Sequence, residues 1–288
     1  MRARRLAVAM AAAATLTLAG CSGGDGGGGT EPAASGSAVA GEGSSETLRI
    51  GIKFDQPGLG YQDGSEYTGF DVDVARYVAE ALGYSEDQIE WVQAPSAQRE
   101  NLLQTGQVDM IFATYSITDT RKEVISFAGP YFVAGQDLLV AADDDSITGP
   151  EDLEGKNLCS VTGSTSAQRI KDEYATGTNL LEQPGYAECV TALTSGAVDA
   201  VTTDDIILAG LAAQPANEGQ VKVVGNPFSE ENYGVGLPLD SDRCEAVTEA
   251  ITAMIEDGSW EQILQDNVGA SGYEANADLN PPTPEACA

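Results

Sequence analysis

The sequence predicts an α/β fold in which strands and helices alternate around parallel sheet, arranged as one large domain or as two lobes. Three observations carry this. From Thr47 onward, short runs that alternate apolar and polar residues take turns with segments whose apolar side chains recur every three to four positions. The body from Thr47 to Ala288 is long enough to bury a large core or two smaller ones. One pattern also occurs twice. Leu103-Gln104-Thr105-Gly106-Gln107-Val108-Asp109 is echoed by Leu193-Thr194-Ser195-Gly196-Ala197-Val198-Asp199, each reading as a helix, a tight glycine turn and a strand, one per lobe.

The first segment is a processing signal. Arg2, Arg4 and Arg5 form a basic start, and Leu6 to Leu18 is an apolar run too short to span a membrane as a mature helix. Leu18-Ala19-Gly20-Cys21 then resembles the bacterial lipobox, whose small residues fit the lipoprotein signal peptidase and whose cysteine takes the lipid. Residues 1–20 are expected to be a lipoprotein signal peptide, and Cys21 the lipidated start of the mature chain, held outside the cell membrane by acyl chains. Residues 21–46 are mostly Gly, Ser, Ala and acid, with Val39 the one sizeable aliphatic side chain, too little to fold. They read as a flexible linker with a reach of roughly 25 to 30 Å.

The folded body follows in order. Residues 48–54 alternate like a strand, and Gln56-Pro57-Gly58 turns out of it. Phe70, Val74, Val78 and Leu82 line one face of a helix that Gly83 stops. A strand over 89–93, a helix from about 97 to 104 and a short strand over 108–112 complete the first series. Residues 137–142 are apolar and extended until Asp143-Asp144-Asp145 breaks the pattern. A second series then runs: strand 156–161, helix 165–174, a strand near Leu180, a helix near 188–194, strand 198–203 and a helix from Asp204. Strands at 221–224 and 233–237 precede a helix over 240–256 and an amphipathic segment carrying Trp260, Ile263 and Leu264. The tail from Ala277, with Pro281, Pro282 and Pro284, should be irregular but pinned by Cys287.

Composition narrows the function. Loss of three arginines with the leader leaves 11 basic against 45 acidic residues, a net charge of −34. So acidic a body argues against nucleic acid or anionic lipid as a partner, though a few cations can still converge on a small anion. The chain has no histidine, which removes histidine-dependent triads, most zinc sites and the usual general base. No cofactor or metal is expected. Cys159, Cys189, Cys244 and Cys287 are an even number without CxxC spacing in an exported chain, so disulfides are the default.

The stretch Phe112 to Phe132 is where chemistry gathers. Thr114, Ser116 and Thr118 suit a polar cleft rather than a core. Asp119 reads as a helix N-cap with Arg121 in the first turn, where the helix dipole disfavours a cation unless an anion sits nearby. A carboxylate fits, because the guanidinium fork donates two parallel hydrogen bonds to it.

Taken together, the chain resembles the extracytoplasmic amino-acid-binding proteins of ATP-binding cassette transporters, and most closely the glutamate/aspartate receptors. The likeness covers about residues 48–267. It is carried by Gly69-Phe70-Asp71-Val72-Asp73-Val74, by Ser96-Ala97-Gln98-Arg99, and by the loop from Thr118 through Arg121 with Phe127 and Tyr131. In the second half it rests on Leu153-Glu154-Gly155-Lys156, Gly163-Ser164-Thr165-Ser166 and residues 198–204. It implies the two-lobed, type II periplasmic-binding-protein fold, each lobe a mixed sheet flanked by helices. Two hinge crossings are expected, near residues 137–142 and 232–236. Lobe one is expected over 47–137 and 236–288, lobe two over 141–232, with ligand between them.

The resemblance also assigns residues. Arg121 would clamp the ligand α-carboxylate, with Thr114 and Ser116 beside it; Ser164 and Thr165 open a helix whose free N–H groups favour an anion. Asp204 would receive the α-ammonium, or simply cap a helix. Lys53, standing where those receptors place an arginine, joins Ser96 and Arg99 at the distal end of the ligand. Two cations there want a second carboxylate, which favours glutamate, with aspartate or glutamine as alternatives. Further departures from the receptors are Val161 in place of a threonine and the absent histidine contact.

Given two lobes, a bridge between them would oppose hinge closure, so Cys159–Cys189 and Cys244–Cys287 are the expected pairs. The implied function is a monomeric lipoprotein that captures an acidic amino acid and delivers it to a membrane permease and its ATPase. The alternatives are an exported dehydratase-like enzyme on the same fold, with Asp204 and Asp205 as acid and base, or an amino-acid sensor.

Overall fold

The computed structural model describes residues 47–174 and 177–288; the expectations for the leader, Cys21 and the linker lie outside the described residues. The first series opens with β1 (Leu48–Ile52), then a small three-stranded sheet of β2 (Asp55–Gln56), β3 (Gly60–Asp63) and β4 (Glu66–Thr68) where the sequence suggests only a turn. It continues through α1 (Phe70–Ala81), β5 (Ile89–Gln93), α2 (Arg99–Gln104), β6 (Met110–Phe112), α3 (Asp119–Lys122) and β7 (Ile125–Ala134). The second series holds β8 (Gln136–Ala141), β9 (Asn157–Val161), α4 (Thr165–Glu173), β10 (Asn179–Gln183), α5 (Tyr186–Thr194), β11 (Ala200–Asp204), α6 (Asp205–Ala212) and β12 (Val221–Val223). The chain then returns through β13 (Glu231–Pro238) to α7 (Cys244–Glu256) and α8 (Ser259–Val268).

Two five-stranded mixed sheets result, one per lobe. The first has the order β5-β1-β6-β13-β7, with β5, β1 and β6 parallel and β13 antiparallel to both neighbours. The second has the order β10-β9-β11-β8-β12, with β10, β9 and β11 parallel and β8 antiparallel to both neighbours. Helices cover the sheets because their apolar stripes demand it. In α1, Phe70, Val74 and Val78 are all fully buried, and Phe70 meets the edge of Trp260 from α8 with ring centroids 6.0 Å apart.

The repeated heptapeptides perform one task twice. Each ends a helix at a left-handed glycine, Gly106 (φ 64°) or Gly196 (φ 74°), whose N–H donates back to Leu103 or Leu193. Each then presents an aspartate to the first strand of its own parallel set. Asp109 Oδ2 accepts the Arg49 N–H at 2.8 Å in lobe one, and Asp199 Oδ2 accepts the Asn157 N–H at 2.7 Å in lobe two.

The strand ends place the two crossings a little ahead of the expected positions. Residues 137–141 lie within β8, and the first crossing is Gly135, between β7 and β8. The second is the segment between β12 and β13, which already includes Tyr233 as a sheet-one residue. The crossings touch: a Cβ on Gly135 would come within 2.6 Å of Pro227 and 2.9 Å of the Ser229 carbonyl. That close approach is why glycine stands there. Two disulfides, Cys159–Cys189 and Cys244–Cys287, each lie within a single lobe.

Candidate ligand-binding site

Lobe one builds its share from strand ends. The chain leaves β6 through Thr114, which stands at φ 45°, a left-handed conformation that β-branched residues seldom adopt. Its N–H donates to Asp71 Oδ2 at 2.9 Å, and its carbonyl lies 3.4 Å from Arg99 Nη1. Lys53, just past β1, donates to Ser96 Oγ at 2.8 Å, and Arg99 stacks 4.0 Å above the Tyr115 ring. Burial pushes the Lys53 ammonium down to about 8, with Arg99 adding to the effect, and burial pushes Arg99 down to about 10, aided by Arg121. Beneath them, burial raises the Asp71 carboxyl to about 6.

The helix holding Arg121 corrects one sequence expectation. Thr118, not Asp119, is the N-cap: its Oγ1 accepts the Arg121 N–H at 3.3 Å, while Asp119 is the first helical residue. Thr118 takes the extended backbone that a cap needs. Arg121 is then drawn inward rather than left on the helix surface, with three acceptors: Ser116 O at 2.7 Å, Glu100 Oε1 at 3.1 Å and, across the lobes, Gly163 O at 3.2 Å.

Lobe two answers from helix starts. Ser164 caps α4, its Oγ accepting the Ala167 N–H at 2.9 Å, and Thr165 Oγ1 lies 3.3 Å from Ser116 Oγ of lobe one. Asp204 occupies the cap position of α6 but makes no side-chain capping bond. Its carboxylate instead accepts from Tyr233 Oη at 2.6 Å and Ser166 Oγ at 3.4 Å. Burial raises its pKa, and the nearby Glu231 carboxylate adds to the shift.

Ser96, Arg99 and Thr114 therefore face Ser164, Thr165, Ser166 and Asp204 across one cavity, closed by Tyr186 and Ile207. Lys53 sits further out, on a groove beside Asp55 and Glu188. The cavity holds about 10 Å³, room for roughly one water. An amino acid enters only if the lobes part and reclose around it. Hydroxyls, one carboxylate and the Arg99 guanidinium line this cavity, and Arg121 lines the adjoining cleft with Ser96, Ser164 and Thr165, a set that suits a zwitterion; no group of metal-ligating residues occurs among the described residues.

Sequence reasoning passes over Tyr115, whose ring also lies 4.8 Å from the Arg121 guanidinium, and Tyr186, a buried first residue of α5. Tyr115 lies in the loop beyond β6 and reads as an ordinary core aromatic, so only its burial beneath two cations reveals it. Gly185 followed by an aromatic helix start is the signal that could have found Tyr186.

Residues 48–270 match the family model described as bacterial extracellular solute-binding proteins, family 3. The chain is 45% identical over 253 residues to the glutamate-binding protein GluB of Corynebacterium efficiens, covering 82% of this chain and 85% of that one. It is 38% identical over 205 residues to a glutamine-binding protein of Geobacillus stearothermophilus, covering 70% and 76% of the two chains. Among solved structures it is similar to an ancestral arginine-binding protein bound to glutamine, with TM-score 0.72, 34% identity, and coverage of 78% of this chain and 99% of that one.

Proposed function

The chain belongs to family 3 of the bacterial extracellular solute-binding proteins, and on that premise we propose that it is the glutamate receptor of an uptake system. In this reading it is a lipoprotein held at Cys21. Its lobes close on the amino acid by hinge motion, and the closed form hands it to a membrane permease driven by an ATPase. Family membership makes it a binding protein for solutes outside the cell rather than an enzyme.

One observation supports the choice of ligand above the others. Lys53 and Arg99, buried at 3% and 2% exposure and linked through Ser96, sit on the same lobe as Arg121. Arg121 would meet the α-carboxylate, displacing the Gly163 carbonyl from its longest bond, and Asp204 the α-ammonium. That leaves Arg99, which lines the cavity, and Lys53, bonded to the cavity's Ser96 from its outer side, for a second, distal carboxylate. An uncharged amide there leaves two buried cations under-compensated, a cost of about 2 to 5 kcal/mol. The 45% relative named for glutamate points the same way.

Equilibrium dialysis of the purified body with labelled glutamate, competed by unlabelled glutamate, aspartate, glutamine and arginine, tests this. The expected order of displacement is glutamate, then aspartate, then glutamine, with arginine inert. Displacement by arginine or glutamine ahead of glutamate would reassign the ligand.

A further inference from the structure

Asp71, from the motif Gly69-Phe70-Asp71, does not line the ligand cavity, yet it is fully buried and bonds a residue that does. From the first turn of α1, its Oδ1 accepts Tyr131 Oη at 2.7 Å and its Oδ2 accepts the Thr114 N–H at 2.9 Å. Thr114 is one of two non-glycine residues at positive φ among the described residues, and the one that lines the ligand cavity. A β-branched residue held there costs about 1 to 3 kcal/mol, so something must over-determine the conformation. Three neighbours do. Asp71 takes the N–H, Arg99 reaches the carbonyl, and the Thr114 hydroxyl, donating to Ala113 O at 2.8 Å, lies 3.2 Å from Gln56 Oε1.

We propose that Asp71 is a positioning residue of the ligand site: its carboxylate pins the Thr114 amide, holds that residue left-handed, and so aims the Thr114 hydroxyl and the Arg99 guanidinium into the cavity. Arg99 depends on this arrangement because its Nη1 is anchored on the carbonyls of Ala113 at 3.0 Å and Thr114 at 3.4 Å. Tyr131 in turn fixes the carboxylate. The role is one of hydrogen bonding rather than charge, since removing a negative charge near Lys53 and Arg99 takes away no attraction for an anionic ligand. Asparagine at 71 can still accept the Thr114 N–H through its carbonyl and meet Tyr131 Oη through its amide. Alanine can do neither.

The inference rests on the ligand-site reading above, so the test has two arms. Glutamate affinity is titrated for wild type, Asp71→Asn and Asp71→Ala, and hydrogen exchange at the Thr114 amide is followed without ligand. Asp71→Ala is expected to bind at least tenfold more weakly and to exchange the Thr114 amide at least tenfold faster. Asp71→Asn stays within threefold of wild type on both. An Ala variant within threefold of wild type, or an Asn variant as impaired as Ala, overturns the proposal. If wild type itself binds no glutamate, the ligand reading fails while the amide arm still decides: protection lost in Ala and kept in Asn upholds the positioning, and protection kept in both overturns it. Should the Ala variant not fold, the Asn variant decides alone, through an amide still protected with affinity kept or through the loss of either.

Discussion

At the scale of single residues, the charged ends of the ligand dictate the expected losses. Arg121→Ala and Asp204→Ala should each nearly abolish glutamate binding with the fold intact, because each strands one charge of the zwitterion in a closed cleft. Affinity within about threefold of wild type in either variant contradicts its role, since losing a buried charged partner costs well over about 1 kcal/mol. Lys53→Met and Arg99→Met should weaken glutamate more than glutamine, by a differential of about 1 to 3 kcal/mol. A parallel loss for both ligands would place these cations outside the specificity pocket. Lys53 carries a second consequence. Burial pushes its ammonium down to about 8, so between that value and the ordinary value near 10.4 the unfolded chain holds a proton that the folded chain has lost. Stability from this group therefore rises as pH climbs through that window and is depressed at neutral pH. Lys53→Met should accordingly melt higher than wild type at pH 7 while losing its acidic ligand, a stability gained at the expense of function. An unchanged or lower melting temperature at pH 7 would contradict that. Residue types around a helix start single out Arg121 as a candidate, whereas Asp204 and the 164–165 pair become candidates only through the resemblance. What they do not convey is that Arg121 spreads its donors over Ser116, Glu100 and Gly163, or that Asp204 stands at a cap position without capping. Those are facts of rotamer and partner, set by residues remote in sequence.

At the scale of elements, the parallel strands and their helices are legible because their apolar periods are undisturbed; β5 and α1 fall where the pattern puts them. The long strand β7 is hidden, because Gly129-Pro130 interrupts it and reads as a turn. In the fold, a register shift opposite Tyr233 and Val235 of β13 accommodates the interruption. β7 closes one end of its sheet, and the C-terminal tail covers its open side. Phe127 and Ala288 exchange two backbone bonds, Glu285 N–H donates to Gly129, and the Asn280 side chain bonds both backbone groups of Val133. This tail fills an edge that would otherwise invite pairing with another chain. Cys244–Cys287 fastens it to α7. Replacing both cysteines by serine should lower unfolding stability by about 2 to 4 kcal/mol and raise aggregation on storage. An unchanged denaturant midpoint would show that the tail's hydrogen bonds hold the edge unaided.

At the scale of the whole molecule, two lobes meet at two touching crossings, and both apolar and polar groups join them: one buried apolar cluster runs from Leu59 and Phe70 of lobe one to Ile207 and Leu211 of lobe two. Ser116 to Thr165, Arg121 to Gly163, the Tyr186 N–H to Asp55 at 3.2 Å and Tyr233 to Asp204 at 2.6 Å are among the polar contacts across the cleft. The two-lobed plan is legible only through the resemblance; alternation and length alone leave one domain or two. No helix among the described residues is long and apolar enough to cross a membrane; the lipid anchor proposed at Cys21 is tested separately. Cys21→Ala should release the chain from membranes or leave an unprocessed precursor, and a variant processed and bound like wild type would contradict the lipid anchor. The claim on which all of this turns is that the cleft selects a second carboxylate. Calorimetric titration of the purified body with glutamate and, separately, with glutamine tests it most directly. One site per chain is expected, with glutamate bound at least tenfold more tightly than glutamine; glutamine bound equally or more tightly would contradict it.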